Sequence, residues 1–115
     1  MSKSKAKGTK WESDIVAYLR ANGFPHVERR ALHGINDKGD ITGIPGVVIE
    51  CKNQSRLSLA EWVDEAETEA HNDAAEVGMV WHKRRGFGSP GRAYVTMTGE
   101  QVAWLLRAAG YGTPL

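Results

Sequence analysis

A single cysteine, a near absence of net charge and the lack of any apolar run approaching the ~20 residues of a bilayer span set the first limits on this chain of 115 residues. Cys51 has no partner for an internal disulfide, and one thiol cannot build a cysteine-based zinc site. Within an apolar stretch it reads as a buried, reduced side chain. The N-terminal lysines are not followed by the hydrophobic segment of a secretory signal, so the expectation is a cytoplasmic protein with no membrane association. No repeat or low-complexity block is visible beyond residues 1–8, which read as a flexible basic tail, leaving 9–115 as one domain with one core.

The net charge is only +1, but its components are segregated. Lys3, Lys5, Lys7 and Lys10 lead the chain, Arg29 and Arg30 are adjacent, and Lys83, Arg84 and Arg85 form a second basic group. Acids gather at Glu61, Asp64, Glu65, Glu67, Glu69, Asp73 and Glu76, where they read as a solvated helix face. A basic face set apart from an acidic one lets a near-neutral protein bind phosphate.

Trp11, Ile15 and Tyr18, joined by Val16 and Leu19, have helical spacing over 9–22, with Thr9-x-x-Glu12 as a capping box and Asn22-Gly23 as a stop. A strand over 24–30, a polar loop over 33–38, and a hairpin of strands 40–44 and 47–52 turning at Pro45-Gly46 are expected next. Ser58-x-x-Glu61 opens a helix over 59–75, followed by a strand over 77–82, a basic glycine-rich loop over 83–91 and a strand over 93–97. Thr98-x-x-Gln101 begins a last helix that runs to Ala109 and stops at Gly110. The order αβββαββα predicts an α/β fold with a mixed central sheet flanked by helices.

The chemistry concentrates at Gly39-Asp40 and Glu50-Cys51-Lys52. In a strand over 47–52, Glu50 and Lys52 share a face and Cys51 points away. A hairpin returns Asp40 to the same place, and two carboxylates converging on one spot call for a cation between them. Magnesium, with manganese able to substitute, favours such carboxylates together with water and phosphate oxygens. The backbone carbonyl of Cys51 is a further candidate ligand. Lys52 would orient the attacking water or neutralise charge developing on phosphate. An isolated Glu-x-Lys in a strand is commonly an exposed charge pair, so the surrounding Asp40 and apolar strand are what give this one weight.

With Lys7-Gly-Thr-Lys10-Trp-Glu12, Arg29-Arg30, Gly39-Asp40 and Glu50-Cys51-Lys52, the chain resembles the PD-(D/E)xK nuclease superfamily, and within it the small archaeal and phage-type Holliday-junction resolvases, over roughly 7–95. The resemblance implies a restriction-endonuclease-like fold and a magnesium-dependent homodimer that nicks branched DNA at a four-way junction. It implies a host-cytoplasmic location if the chain is phage-encoded, and it assigns Glu12, Asp40, Glu50 and Lys52 to catalysis, with Glu12 a possible additional metal ligand. The proline of the motif is replaced by Gly39. Other nucleases of this fold (nicking, flap or restriction-like) and a non-catalytic DNA-binding module remain as alternatives.

Candidate DNA contacts are Lys7, Lys10, Arg29, Arg30, His33, Gln54, Lys83, Arg84 and Arg85, with His82 a weaker one. Glu12 has a competing role in the Thr9 capping box. Among four tryptophans, Trp62 and the last helix around Trp104 and Leu105 are candidates for a dimer interface, and core packing accounts for the rest.

Overall fold

A computed structural model describes residues 2–30 and 39–115. Helix α1 (Lys3–Ala21) is followed by strands β1 (Glu28–Arg29), β2 (Ile41–Thr42) and β3 (Val47–Lys52), helix α2 (Leu59–Asn72), strand β4 (Val77–His82), a 3-10 turn (Pro90–Arg92), strand β5 (Tyr94–Thr96) and helix α3 (Gly99–Ala108). The expected element order is present, as an α/β fold with a five-stranded mixed sheet and three flanking helices. The strands lie in the order β1-β2-β3-β4-β5. Only β3 and β4 run parallel, in the register Glu50–Val80 and Lys52–His82, because α2 carries the chain over the sheet between them.

Alternation along β3 and β4 sorts their side chains between two helices. Val47, Ile49, Cys51, Met79 and Trp81 pack with Trp11, Ile15, Val16 and Leu19 of α1, together with Val27 and Ile41. On the other face Val80 packs with Trp62 and Ala66 of α2. The indole of Trp11 donates to the Trp81 carbonyl at 3.1 Å, tying α1 to the sheet. Trp62 is 4% exposed and belongs to the core, so of the two expected dimer-interface candidates only α3 is available. None of the described helices is long and apolar enough to cross a membrane.

Several boundaries differ from the sequence expectation. Helix α1 begins at Lys3, with Ser2 accepting from the Lys5 amide, so most of the expected basic tail is helical and Thr9 and Glu12 lie inside the helix rather than in a capping box. Lysines and alanine are adequate helix formers, and Gly8 alone does not stop propagation. Ser58 precedes α2 as expected, but its side chain makes no capping bond. The strand expected over 24–30 shrinks to two residues, because Phe24 and Val27 donate to the carbonyls of Leu19 and Phe24 in turns around Pro25. Gln101, in the first turn of α3, donates its amide to the Thr98 cap, and its side chain reaches elsewhere: its oxygen accepts from the Gly78 amide and its nitrogen donates to Glu67 of α2.

Helix α2 sits so close to β4 that a Cβ on Gly78 would collide with the carbonyl oxygen of Ala66 and come within 2.8 Å of its carbon. Gly78→Ala must therefore displace helix backbone, and is expected to cost about 1–3 kcal/mol, read as a lower urea midpoint. Gly88→Ala, where an added methyl meets nothing within 4 Å, is the control and should leave the midpoint in place.

Candidate active site

The end of β3 delivers Glu50 and Lys52 to the α2 side of the sheet while Cys51 packs against the α1 core, as strand alternation requires. Asp40 arrives from the residue before β2. Its amide donates to the Ile49 carbonyl at 3.0 Å and its carbonyl accepts from the Arg30 amide at 2.8 Å. Its Oδ2 accepts from the Cys51 amide at 2.8 Å. Two backbone bonds thus fix the main chain of Asp40 beside β3, and the Cys51 amide holds its carboxyl against the strand that bears Glu50.

Proline could not stand at position 39. The Gly39 φ of +93° is outside the range a pyrrolidine ring permits, and a Cβ at this position would meet Val48 Cγ1 at 2.6 Å.

Helix α2 adds two acids that sequence reasoning placed on a solvated face. Trp62, Ala66, Glu69 and Ala70 form the buried stripe of α2, and Glu69 is only 2% exposed. Glu65, one turn earlier, binds Lys52 Nζ through Oε1 at 2.7 Å, closer than the 3.5 Å between Lys52 Nζ and Glu50 Oε1. The available signal was Glu69 itself, which falls on the apolar stripe set by Trp62, Ala66 and Ala70.

The electrostatics are those of a crowded, poorly solvated set of acids. Glu50 is 6% exposed; burial, then the approach of Glu69, pushes its carboxyl up to about 9, with Lys52 pulling the other way. Burial, then Glu50, pushes Asp40 up to about 8 against the opposing Cys51 hydrogen bond. The Glu50 carboxyl comes within hydrogen-bonding reach of both Asp40 and Glu69, yet ionised carboxylates only accept. Each such contact therefore needs a proton or a cation. Burial pulls Lys52 toward deprotonation, but Glu65, Glu50 and Asp40 outweigh it and raise its pKa, keeping the ammonium charged. Burial also pushes the Cys51 thiol well above its ordinary value, which fits an inert side chain.

Among the described residues, Glu50, Glu65 and Glu69 offer ligand oxygens that all lie within 4.8 Å of one another. No hydrogen-bond donor among the described residues reaches the buried Glu50 Oε2. With Asp40 against Glu50, the donor set is entirely carboxylate and suits a hard divalent cation. This three-carboxylate group among the described residues shares Glu50 with the expected ligands Asp40, Glu50 and Glu12.

Glu12 projects from α1, the helix on the opposite face from α2, and Arg29 Nε donates to its Oε1 at 3.0 Å. Its charge still contributes to raising the pKa of Asp40. Two further cations expected at DNA are also held by carboxylates: Arg30 pairs with Asp73 at 3.7 Å and Lys10 with Asp14 at 2.9 Å. Lys7, Gln54 and Arg85 are exposed. His82 is buried and bonded to Thr96 Oγ1 at 2.8 Å, a packing role rather than a substrate contact. His33 lies outside the described residues.

Lys83 begins the basic loop beside the site, its amide donating to the Lys52 carbonyl at 2.9 Å and its ammonium lying 5.7 Å from the centroid of the Trp11 ring. Compared with protein-family models, curated proteins and solved structures, the chain matches none.

Proposed function

We propose that this chain is a divalent-metal-dependent endodeoxyribonuclease of the PD-(D/E)xK type, acting as a homodimer on branched DNA, with the four-way junction as its substrate. The observation that supports it best is the convergence of the half-buried Asp40, from the residue before β2, on the buried Glu50 beside the charged Lys52 at the end of β3. Among the described residues Lys52 is the one cation paired with this group, 3.5 Å from Glu50 and 2.7 Å from Glu65, while Glu50 also raises the proton affinity of Asp40.

In this reading Asp40 and Glu50 hold magnesium or manganese, and Glu69 lies close enough to Glu50 to contribute. The chemistry such an ion supplies when bound is Lewis-acid polarisation of the phosphoryl group and activation of water. Lys52 presents its ammonium where negative charge develops on the phosphate, or orients the attacking water. Glu65 keeps that ammonium charged and aimed, and the Cys51 amide keeps Asp40 from turning away. Helix α3 has no buried residue and exposes Val102 and Leu106, one turn apart, with Trp104 on its other side; this helix is the surface we assign to the homodimer.

Glu65→Gln removes the counter-charge that aims Lys52 and is expected to lower kcat about 10- to 100-fold with little change in KM, measured by steady-state cleavage. Substrate class is tested by incubating the protein and magnesium with a labelled four-way junction, a flap, a linear duplex and a single strand. Symmetric paired nicks confined to the junction are expected. Equal cutting of linear duplex would replace the resolvase reading with another nuclease activity, and binding without cleavage in either magnesium or manganese would favour a non-catalytic module.

A further inference from the structure

We propose that Arg84, Phe87 and Tyr94 form a stacking platform for an unpaired nucleotide beside the candidate active site, so that the substrate is DNA with an unstacked base close to the cleaved phosphate. The link to cleavage rests on the nuclease reading above; the binding surface does not. Strands β3 and β4 end together, Lys52 opposite His82, and the loop that follows leaves the sheet alongside Lys52. Residues 83–98 contain Lys83, Arg84, Arg85 and Arg92 and no carboxylate. Among the described residues, none of these four cations is ion-paired, in contrast to Lys10, Arg29, Arg30 and Lys52. This is a charge surface complementary to phosphate, placed next to the site rather than remote from it.

The aromatic groups make the surface more than a phosphate grip. The Phe87 amide donates to the Arg84 carbonyl at 3.1 Å, closing a turn through Gly86 that brings the Arg84 guanidinium to 3.8 Å from the Phe87 ring centroid. Tyr94, fixed opposite His82 by strand pairing, has its ring centroid 4.8 Å from the same guanidinium. The loop is held at its far end by the Trp81 indole, which donates to the Pro90 carbonyl at 3.1 Å. The platform is therefore preorganised, yet Phe87 is 38% and Tyr94 54% exposed. Planar cations and exposed rings held together are what nucleobases stack upon, and contact with phosphate alone would need no ring. A base within intact duplex has both faces covered by its neighbours, so only an unpaired or unstacked nucleotide can use such a surface.

The test uses wild-type protein and variants in EDTA, with fluorescence anisotropy on single-stranded DNA, the same strand carrying abasic positions, and duplex; a 2-aminopurine probe reports stacking. Phe87→Ala and Tyr94→Ala are each expected to weaken single-strand binding by roughly 5- to 100-fold and to abolish the 2-aminopurine change, with Tyr94→Phe near wild type. Losses should be small on abasic strand and on duplex. Arg85→Gln should weaken all three DNAs alike and lower the salt dependence. Wild-type affinity in both alanine variants, or equal losses on intact and abasic strands, would overturn the platform. Because no metal is present, absent cleavage in a separate assay would count against the nuclease reading alone, and lost base dependence here against the platform alone.

Discussion

Glu50→Gln is expected to abolish DNA cleavage and yet to melt higher than the parent protein at pH 7 in EDTA. The ordinary carboxyl value of 4.5 becomes about 9 in the fold, with burial the largest cause and Glu69 next. Below about pH 4.5 Glu50 is protonated in both the folded and unfolded states and contributes no pH dependence. Between that value and about 9 the unfolded chain has released a proton that the folded protein retains, so stability falls as pH rises. Above about 9 both states are ionised and the curve levels. Asp40 follows the same sign from 3.8 to about 8. Glutamine is the neutral isostere of the acid that the fold prefers, and its amide can donate to Asp40 or Glu69. Removing the penalty should be worth on the order of 2 kcal/mol at pH 7, or about 5–10 °C in Tm. The gain should disappear near pH 4. An unchanged or lower Tm at pH 7 would show that the Glu50 carboxyl is not held at a cost.

The second large effect is the reverse of the first, brought about by metal. Magnesium or manganese should raise the Tm of wild-type protein strongly at pH 8 and little at pH 5, because Asp40 and Glu50 must lose their protons to act as ligands. At a concentration 100-fold above Kd the stabilisation is about 2.7 kcal/mol. Each carboxyl that must deprotonate weakens binding about tenfold per pH unit below its own pKa. Cleavage should therefore gain rate as pH rises toward 8–9, where the two acids ionise. Glu50→Gln should lose most of the metal-induced rise. Equal stabilisation at pH 5 and pH 8, or a full rise in Glu50→Gln, would place the metal elsewhere.

The central strands were legible because their signal is local. Val47–Lys52 and Val77–His82 are short apolar runs bounded by turn residues, and the period of two along a strand puts Glu50 and Lys52 on one face without further information. Long-range competition hid the rest. The Thr9 and Glu12 pattern satisfies a capping box, but a helix starts where it is best terminated, and Ser2 wins. Glu65 sits within a run of acids that composition assigns to solvent, and only the docking of α2 against β3 and β4 turns it toward Lys52, whereas Glu69 already falls on the apolar stripe of that helix. Arg29 and Arg30 are indistinguishable in sequence from free cations, and become committed to Glu12 and Asp73 only through the pairing of β1 and the positions of α1 and α2.

The most direct measurement of the central claim is cleavage of an end-labelled four-way junction by wild type, Asp40→Asn and Lys52→Ala side by side, in magnesium and in EDTA. Hydrolysis by wild type in magnesium, none in EDTA, and a loss of at least about 100-fold in both variants is the expected result. Full activity in either variant, or magnesium-independent cutting by the wild type, would contradict the assignment of Asp40, Glu50 and Lys52 as a metal-dependent phosphodiesterase site.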